Sequence, residues 1–216
     1  MRAFKNRVSA GQELAQAVLD RLEPDKDDYF LVLALPRGGV PVAFEVAQKL
    51  GAELDLMVVR KLGLPWHSEL AMGAIASGGI RILNEDVVRG SGVSEASIDQ
   101  VQQDEEKELK RRETAYRGDR PMPTIQGRRV IIVDDGIATG ATMKAAVQGV
   151  RSRKPADITV AVPVAPPETL SALRDLADDV VCVLAPDMMN AIGAWYVDFN
   201  QTSDDEVREL LNRAWS

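Results

Sequence analysis

The sequence predicts an α/β fold: a largely parallel sheet with helices on both faces, built as one domain over residues 1–216. Two observations carry that prediction. Short apolar runs recur at 30–35, 54–60, 130–133, 158–164 and 180–184, the third of them entirely β-branched, and segments with helical spacing separate most of them, the pattern of parallel strands buried on both faces. Glycines and charged residues also gather at the carboxyl ends of the first and third runs, where open α/β sheets place their ligand crevice. A chain of 216 residues is long enough for one well-buried core and too short for two ordinary domains.

Composition excludes several partners. A net charge of −7 lacks the basic footprint that nucleic acid or an anionic membrane requires. The single cysteine, Cys182, lies in an apolar run and rules out an intramolecular disulfide or a cysteine metal cluster. No apolar run approaches the roughly 18 residues of a membrane span, and a soluble, cytoplasmic protein is the expectation.

The elements follow in order. Ser9 to Leu22 has helical spacing at Leu14, Ala17, Val18 and Leu22, with Ser9 as its cap. Pro24 to Asp28 reads as a charged turn, Phe30 to Leu35 as the first strand and Val40 to Leu50 as a helix. Leu54 to Arg60 reads as the second strand, after which Gly63 and Pro65 mark a loop that also holds His67, the only histidine. Leu70 to Ala76 and Ile80 to Leu83, joined by Ser77-Gly78-Gly79, form a hairpin. Ser94 to Tyr116 reads as a polar, solvated helix. Ile98, Val101 and Leu109 are its sparse apolar positions, and Glu106 with Lys110 and Glu108 with Arg112 pair along it. This insertion is expected to lean on the ligand side of the sheet or on a second subunit. Pro166-Pro167 opens a helix running to about Leu176, and Gln201 to Ser216 closes the chain with a helix capped by Thr202 or Ser203.

The stretch from Val130 to Ala146 organises the rest. Asp134 and Asp135 follow four β-branched residues, and Gly136, Ala138, Thr139, Gly140, Ala141 and Thr142 then lead into a helix. Small residues before a helix amino terminus offer unpaired N–H groups and the positive end of the helix dipole to a phosphate. Two adjacent acids repel a polyphosphate but accept hydrogen bonds from paired hydroxyls, so a ribose 5-phosphate suits the stretch. No G-x-x-x-x-G-K-[ST] occurs, which excludes a Walker loop. After the first strand, Arg37, Gly38 and Gly39 make a second place for an anion.

The run from Asp134 to Thr142, behind its strand, resembles the phosphoribosyl-pyrophosphate motif of the type I phosphoribosyltransferases. The resemblance implies that Asp134 and Asp135 hold the ribose hydroxyls while Gly136 and Ala138 to Thr142 grip the 5-phosphate. Arg37, Gly38 and Gly39 match the pyrophosphate loop, which in the family often carries a non-proline cis peptide. Arg60 and Lys61 resemble the start of the mobile catalytic loop of adenine and orotate enzymes. Residues 186–200, with Pro186-Asp187, Ile192-Gly193, Tyr196, Asp198 and Phe199, resemble the hood of hypoxanthine-type members. Together with amino-terminal residues they would cover the site.

The implied reaction transfers phosphoribose from 5-phosphoribosyl 1-pyrophosphate to a nucleobase or related nitrogen nucleophile. Magnesium would be held by Asp198 and Asp135 directly or through water, with Asp134, Asp135, Lys61 and Arg37 as the catalytic set. Hypoxanthine enzymes carry an acid at the position of Ala138 and a lysine within the region of Val162 to Ala165; this chain has neither. The hood position that stacks on a purine falls on Met188, Met189 or Asn190. The acceptor therefore stays open, with hypoxanthine and guanine expected to be poor. A non-catalytic sensor of phosphoribosyl pyrophosphate and a ribose phosphate hydrolase are the alternatives, and a homo-oligomer is possible.

Overall fold

Strands β1 (Phe30–Ala34), β2 (Glu53–Leu56), β6 (Arg129–Val133), β7 (Asp157–Val164) and β8 (Asp179–Leu184) form the main sheet in the computed structural model, in the order β2-β1-β6-β7-β8. All four pairings are parallel, with Leu31 opposite Val130 and Ile132 opposite Val160. The structure describes residues 3–23 and 29–216, so the turn expected at Pro24 to Asp28 lies outside the described residues. Every residue of β1 is buried, as its unbroken apolar run requires of a central strand. One face packs on α1 (Arg7–Leu22), α2 (Gly39–Leu50) and α7 (Asp204–Ala214). The other packs on α5 (Ala141–Ser152) and α6 (Pro167–Arg174).

The second apolar run is divided between two sheets, which corrects the strand expected over 54–60. Met57 still donates to Ala34, but Val58 donates to the Ser77 hydroxyl and receives the Ser77 N–H on its own carbonyl. The chain thereby leaves the parallel sheet and enters an antiparallel one, β3-β4-β5, formed by Val59–Leu64, His67–Ala76 and Ile80–Leu83. Apolar character continues across both pieces, so hydrophobicity alone does not mark the crossing. The expected hairpin over Ser77 to Gly79 is present, with Gly78 and Gly79 both at positive φ.

Two further expectations change. Helix α1 begins at Arg7 with Asn6 as its cap, while Ser9 occupies the third position and returns a hydrogen bond to Asn6 in a reciprocal capping box. Helix α4 (Glu95–Arg117) is not a free solvated rod: Ile98, Leu109 and Tyr116 are buried in the core beside Leu62, Leu64 and Met72. Its inward stripe runs 98, 101, 105, 109, 112 and 116, the i+3/i+4 spacing of one face. Charged residues occupy part of that stripe, which is why the periodicity reads as polar. A short helix, α3 (Glu85–Ser91), capped by Asn84, was not expected at all. No helix is long and apolar enough to cross a membrane among the described residues.

Candidate phosphate and acid-pair site

The acid pair stands at the carboxyl end of β6, in the middle of the parallel sheet, as its place after four buried β-branched residues requires. The turn beyond it is held from two sides. Ile137 donates to Val164 at the end of β7 (2.9 Å), and Thr169 on α6 donates its hydroxyl to the Ala138 carbonyl (2.7 Å). Gly140 then caps α5 at φ 77°, and a Cβ there would stand 2.9 Å from Thr169 Cγ2, so both backbone angle and space require glycine. Ala138, Thr139, Ala141 and Thr142 are exposed. The first N–H groups of α5 have no intrahelical acceptors and are offered outward.

The loop Pro36-Arg37-Gly38-Gly39 lies directly against the two acids. A Cβ on Gly38 would fall 2.1 Å from Asp135 Oδ2, and one on Gly39 would fall 2.8 Å from the Val133 carbonyl oxygen and 3.2 Å from Asp134 Oδ1. Only glycine permits this approach. The Pro36–Arg37 peptide bond is cis, the feature that the family resemblance attached to this loop. Two stretches nearly a hundred residues apart are thus brought into one crevice.

The two acids have different surroundings. Asp135 is buried and accepts from Arg7 Nε at 2.8 Å, in a pair whose side chains are only 12% and 11% exposed. Arg7 also donates to the Asn200 carbonyl (2.6 Å) and lies 4.0 Å over the Phe199 ring. Tyr196 donates its hydroxyl to the Asp135 carbonyl at 2.5 Å. Asp134 has no such cation: its Oδ1 accepts from the Asp135 N–H (2.8 Å), and burial followed by the neighbouring Asp135 charge raises its pKa well above the ordinary carboxylate range. The hood itself rests on the amino terminus, since Phe4 donates to Trp195 and Val197 donates to Phe4, each at 2.8 Å. Met188 projects into solvent at 86% exposure, while Ile192 closes on Gly136, where a Cβ would meet its Cγ2 at 2.6 Å.

The basic residues separate. Arg60, expected to end the second strand, and Lys61, expected to open the loop after it, are consecutive residues of β3 and point to opposite faces. Arg60 is paired with Glu105 of α4 at 2.6 Å. Lys61, 44% exposed, lies 3.5 Å from Glu69 and borders a cavity of about 430 Å³ that also takes in Ala141, Thr142 and Lys144. Lys61 therefore shares a cavity with the start of α5, and Arg60 is not among the residues that line it. Arg37 reaches Asp204 at 3.5 Å. Asp198 is exposed and accepts from Asn200 (2.7 Å), and His67 is an exposed residue at the start of β4. Sequence reasoning missed Arg7, Tyr116 and Asp204. Arg7 has no local signal, since its partner is 128 positions away.

A parallel α/β sheet with an acid pair, a turn that opens a helix and a second glycine loop at its carboxyl edge is the architecture of the phosphoribosyltransferase fold. The chain belongs to the phosphoribosyl transferase domain family, which it matches over residues 3–200. It is 48% identical over 214 residues to a Mycobacterium tuberculosis (strain H37Rv) protein named "Putative phosphoribosyl transferase Rv0571c"; the match covers 99% of this chain and 47% of that protein. The chain thus spans about half the length of the curated relatives it matches. The crystal structure of TT1426 from Thermus thermophilus superposes with a TM-score of 0.87 at 40% identity, covering 99% of both chains. The AQ2163 protein from Aquifex aeolicus, at 12% identity and a TM-score of 0.52 over 87% of this chain and 78% of that one, shares the fold.

Proposed function

We propose that this chain binds 5-phosphoribosyl 1-pyrophosphate with magnesium and transfers its phosphoribosyl group to a small nitrogen nucleophile, releasing pyrophosphate. The observation that carries this reading is the close approach of the Gly38-Gly39 loop to Asp134 and Asp135, with the glycine-capped start of α5 on the same side; it supports an acid pair for hydroxyls flanked by two places for anions. The N–H groups around Ala138 to Thr142 take the 5-phosphate. Asp134 and Asp135 accept from the ribose hydroxyls and stabilise the positive charge that develops on the sugar as its bond to pyrophosphate lengthens. The Gly38-Gly39 loop and Arg37 receive the leaving pyrophosphate, with Lys61 approaching from the β3–β4 hairpin. Most of the catalytic effect in such a site is positioning and charge neutralisation.

Among the described residues no three His, Cys, Asp or Glu side chains gather as a metal site. The proposed ion is one that binds through one or two carboxylates and the substrate's own oxygens, as magnesium does. Asp135 and Asp198 are the expected protein ligands, directly or through water; Asp135 would coordinate while Oδ2 stays on Arg7. When bound, the ion neutralises charge on the leaving pyrophosphate. Pyrophosphate release from phosphoribosyl pyrophosphate, measured with and without adenine, hypoxanthine, guanine, xanthine, uracil and orotate, tests the reading. Release that depends on one acceptor supports transfer. Release without any acceptor indicates hydrolysis, and binding without release indicates a sensor. Efficient use of hypoxanthine or guanine would overturn the specificity expected from Ala138.

A further inference from the structure

We propose that Tyr116 and Asp204 are positioning residues for Arg37, so that the inserted helix α4 and the carboxyl-terminal helix α7 set the pyrophosphate end of the site. The proposal rests on the reading of the Arg37-Gly38-Gly39 loop as the pyrophosphate loop. Arg37 places Nη1 3.5 Å from Asp204 Oδ1 at the start of α7. The same oxygen accepts the Tyr116 hydroxyl at 2.7 Å. The Tyr116 hydroxyl, with the Arg37 and Arg208 guanidiniums behind it, holds the Asp204 carboxyl below its ordinary pKa, so Asp204 is a fixed anion at neutral pH.

Tyr116 cannot drift, because the next residue is anchored in the core. Arg117 donates from Nε and Nη2 to Asp55 Oδ1 (3.0 and 2.8 Å) and from Nη2 to the Leu56 carbonyl (2.8 Å), with side chains only 5% and 0% exposed. A continuous set of contacts therefore runs from β2 through Arg117, Tyr116 and Asp204 to Arg37. The last contact orients Arg37 without consuming it. A single 3.5 Å approach to one nitrogen engages at most one of the five guanidinium N–H donors and leaves the rest of the fork for a phosphate. Helix α4, whose sequence reads as a polar insertion, acquires a task in this arrangement.

Positioning and through-space charge predict opposite signs. Deleting the Asp204 charge would tighten anion binding if the carboxylate merely repelled the ligand, and would weaken it if the carboxylate holds Arg37 in place. The test is calorimetric titration of magnesium pyrophosphate into the full chain. Asp204→Asn is expected to weaken binding about 10-fold and Tyr116→Phe, which leaves the charge unchanged, about 3-fold, with both effects vanishing in an Arg37→Ala background. Unchanged or tighter binding in Asp204→Asn overturns the proposal, as does the same loss when Arg37 is absent, which is what general damage to the fold would give. Failure of the unmodified chain to bind pyrophosphate overturns the pyrophosphate-loop reading together with the proposal. Binding by the unmodified chain with no change in either variant overturns the positioning role alone.

Discussion

Asp135 is gripped by Arg7, by the Tyr196 hydroxyl on its carbonyl and by the close approach of Gly38, whereas Asp134, one residue earlier, is desolvated beside a second acid with no cation in contact. The chain bends at Asp135, just past the end of β6, and the two side chains meet different surroundings. One acid is part of the frame that joins amino terminus, hood and sheet. The other is held at a cost to stability, and such unfavourable burial concentrates where a protein binds or reacts. Adjacent residues of the same type are therefore expected to respond oppositely to the same substitution.

The largest effect is expected at Arg7. Arg7→Met leaves Asp135 buried without its cation and should destabilise the protein by about 3 kcal/mol in denaturant unfolding. A loss below about 0.5 kcal/mol would show the frame to be decorative. Asp134→Asn should go the other way. A raised folded pKa means that folding disfavours the ionised form, so the wild-type protein matches the amide below the unfolded value of about 3.9 and falls behind it as pH rises through the folded value. Asp134→Asn should therefore stabilise the protein by about 1 kcal/mol at pH 7 and by nothing near pH 3.5, while weakening ribose binding. Destabilisation at neutral pH would remove the contrast between the two acids. Tyr196→Phe, which leaves the Asp135 carbonyl without its donor, should cost about 1 kcal/mol. Smallest is Glu105→Gln, which releases Arg60 from a half-buried pair: about 0.5 kcal/mol of stability is expected to go, with pyrophosphate affinity unchanged. A marked change in that affinity would return Arg60 to the site.

Much of this fold was legible because burial on two faces leaves a strong mark. The runs at 30–35, 130–133, 158–164 and 180–184 all became parallel strands, and the acids after Val133 stand at the crevice edge where the sequence put them. The β2–β3 crossing was not legible, since Met57 and Val58 are as apolar as their neighbours and the change of sheet depends on the distant Ser77. Helix α4 was misjudged because the charged Glu105 and Arg112 lie on its inward stripe, with Glu105 there pairing Arg60. For the site, the glycines and acids carried their own signal through the conformations and charges that they require. Arg7, Tyr116 and Asp204 did not, because each owes its position to a partner at least 88 positions away.

The central claim is that acids, phosphate turn and glycine loop form one receptor for a ribose carrying phosphate at one end and pyrophosphate at the other. Its most direct test is the melting temperature of the chain with magnesium and saturating 5-phosphoribosyl 1-pyrophosphate, beside an equal concentration of magnesium ATP. At about a hundredfold excess over Kd, a rise of about 5 °C is expected with phosphoribosyl pyrophosphate and little with ATP. No rise with phosphoribosyl pyrophosphate, or equal rises with both ligands, would contradict the claim.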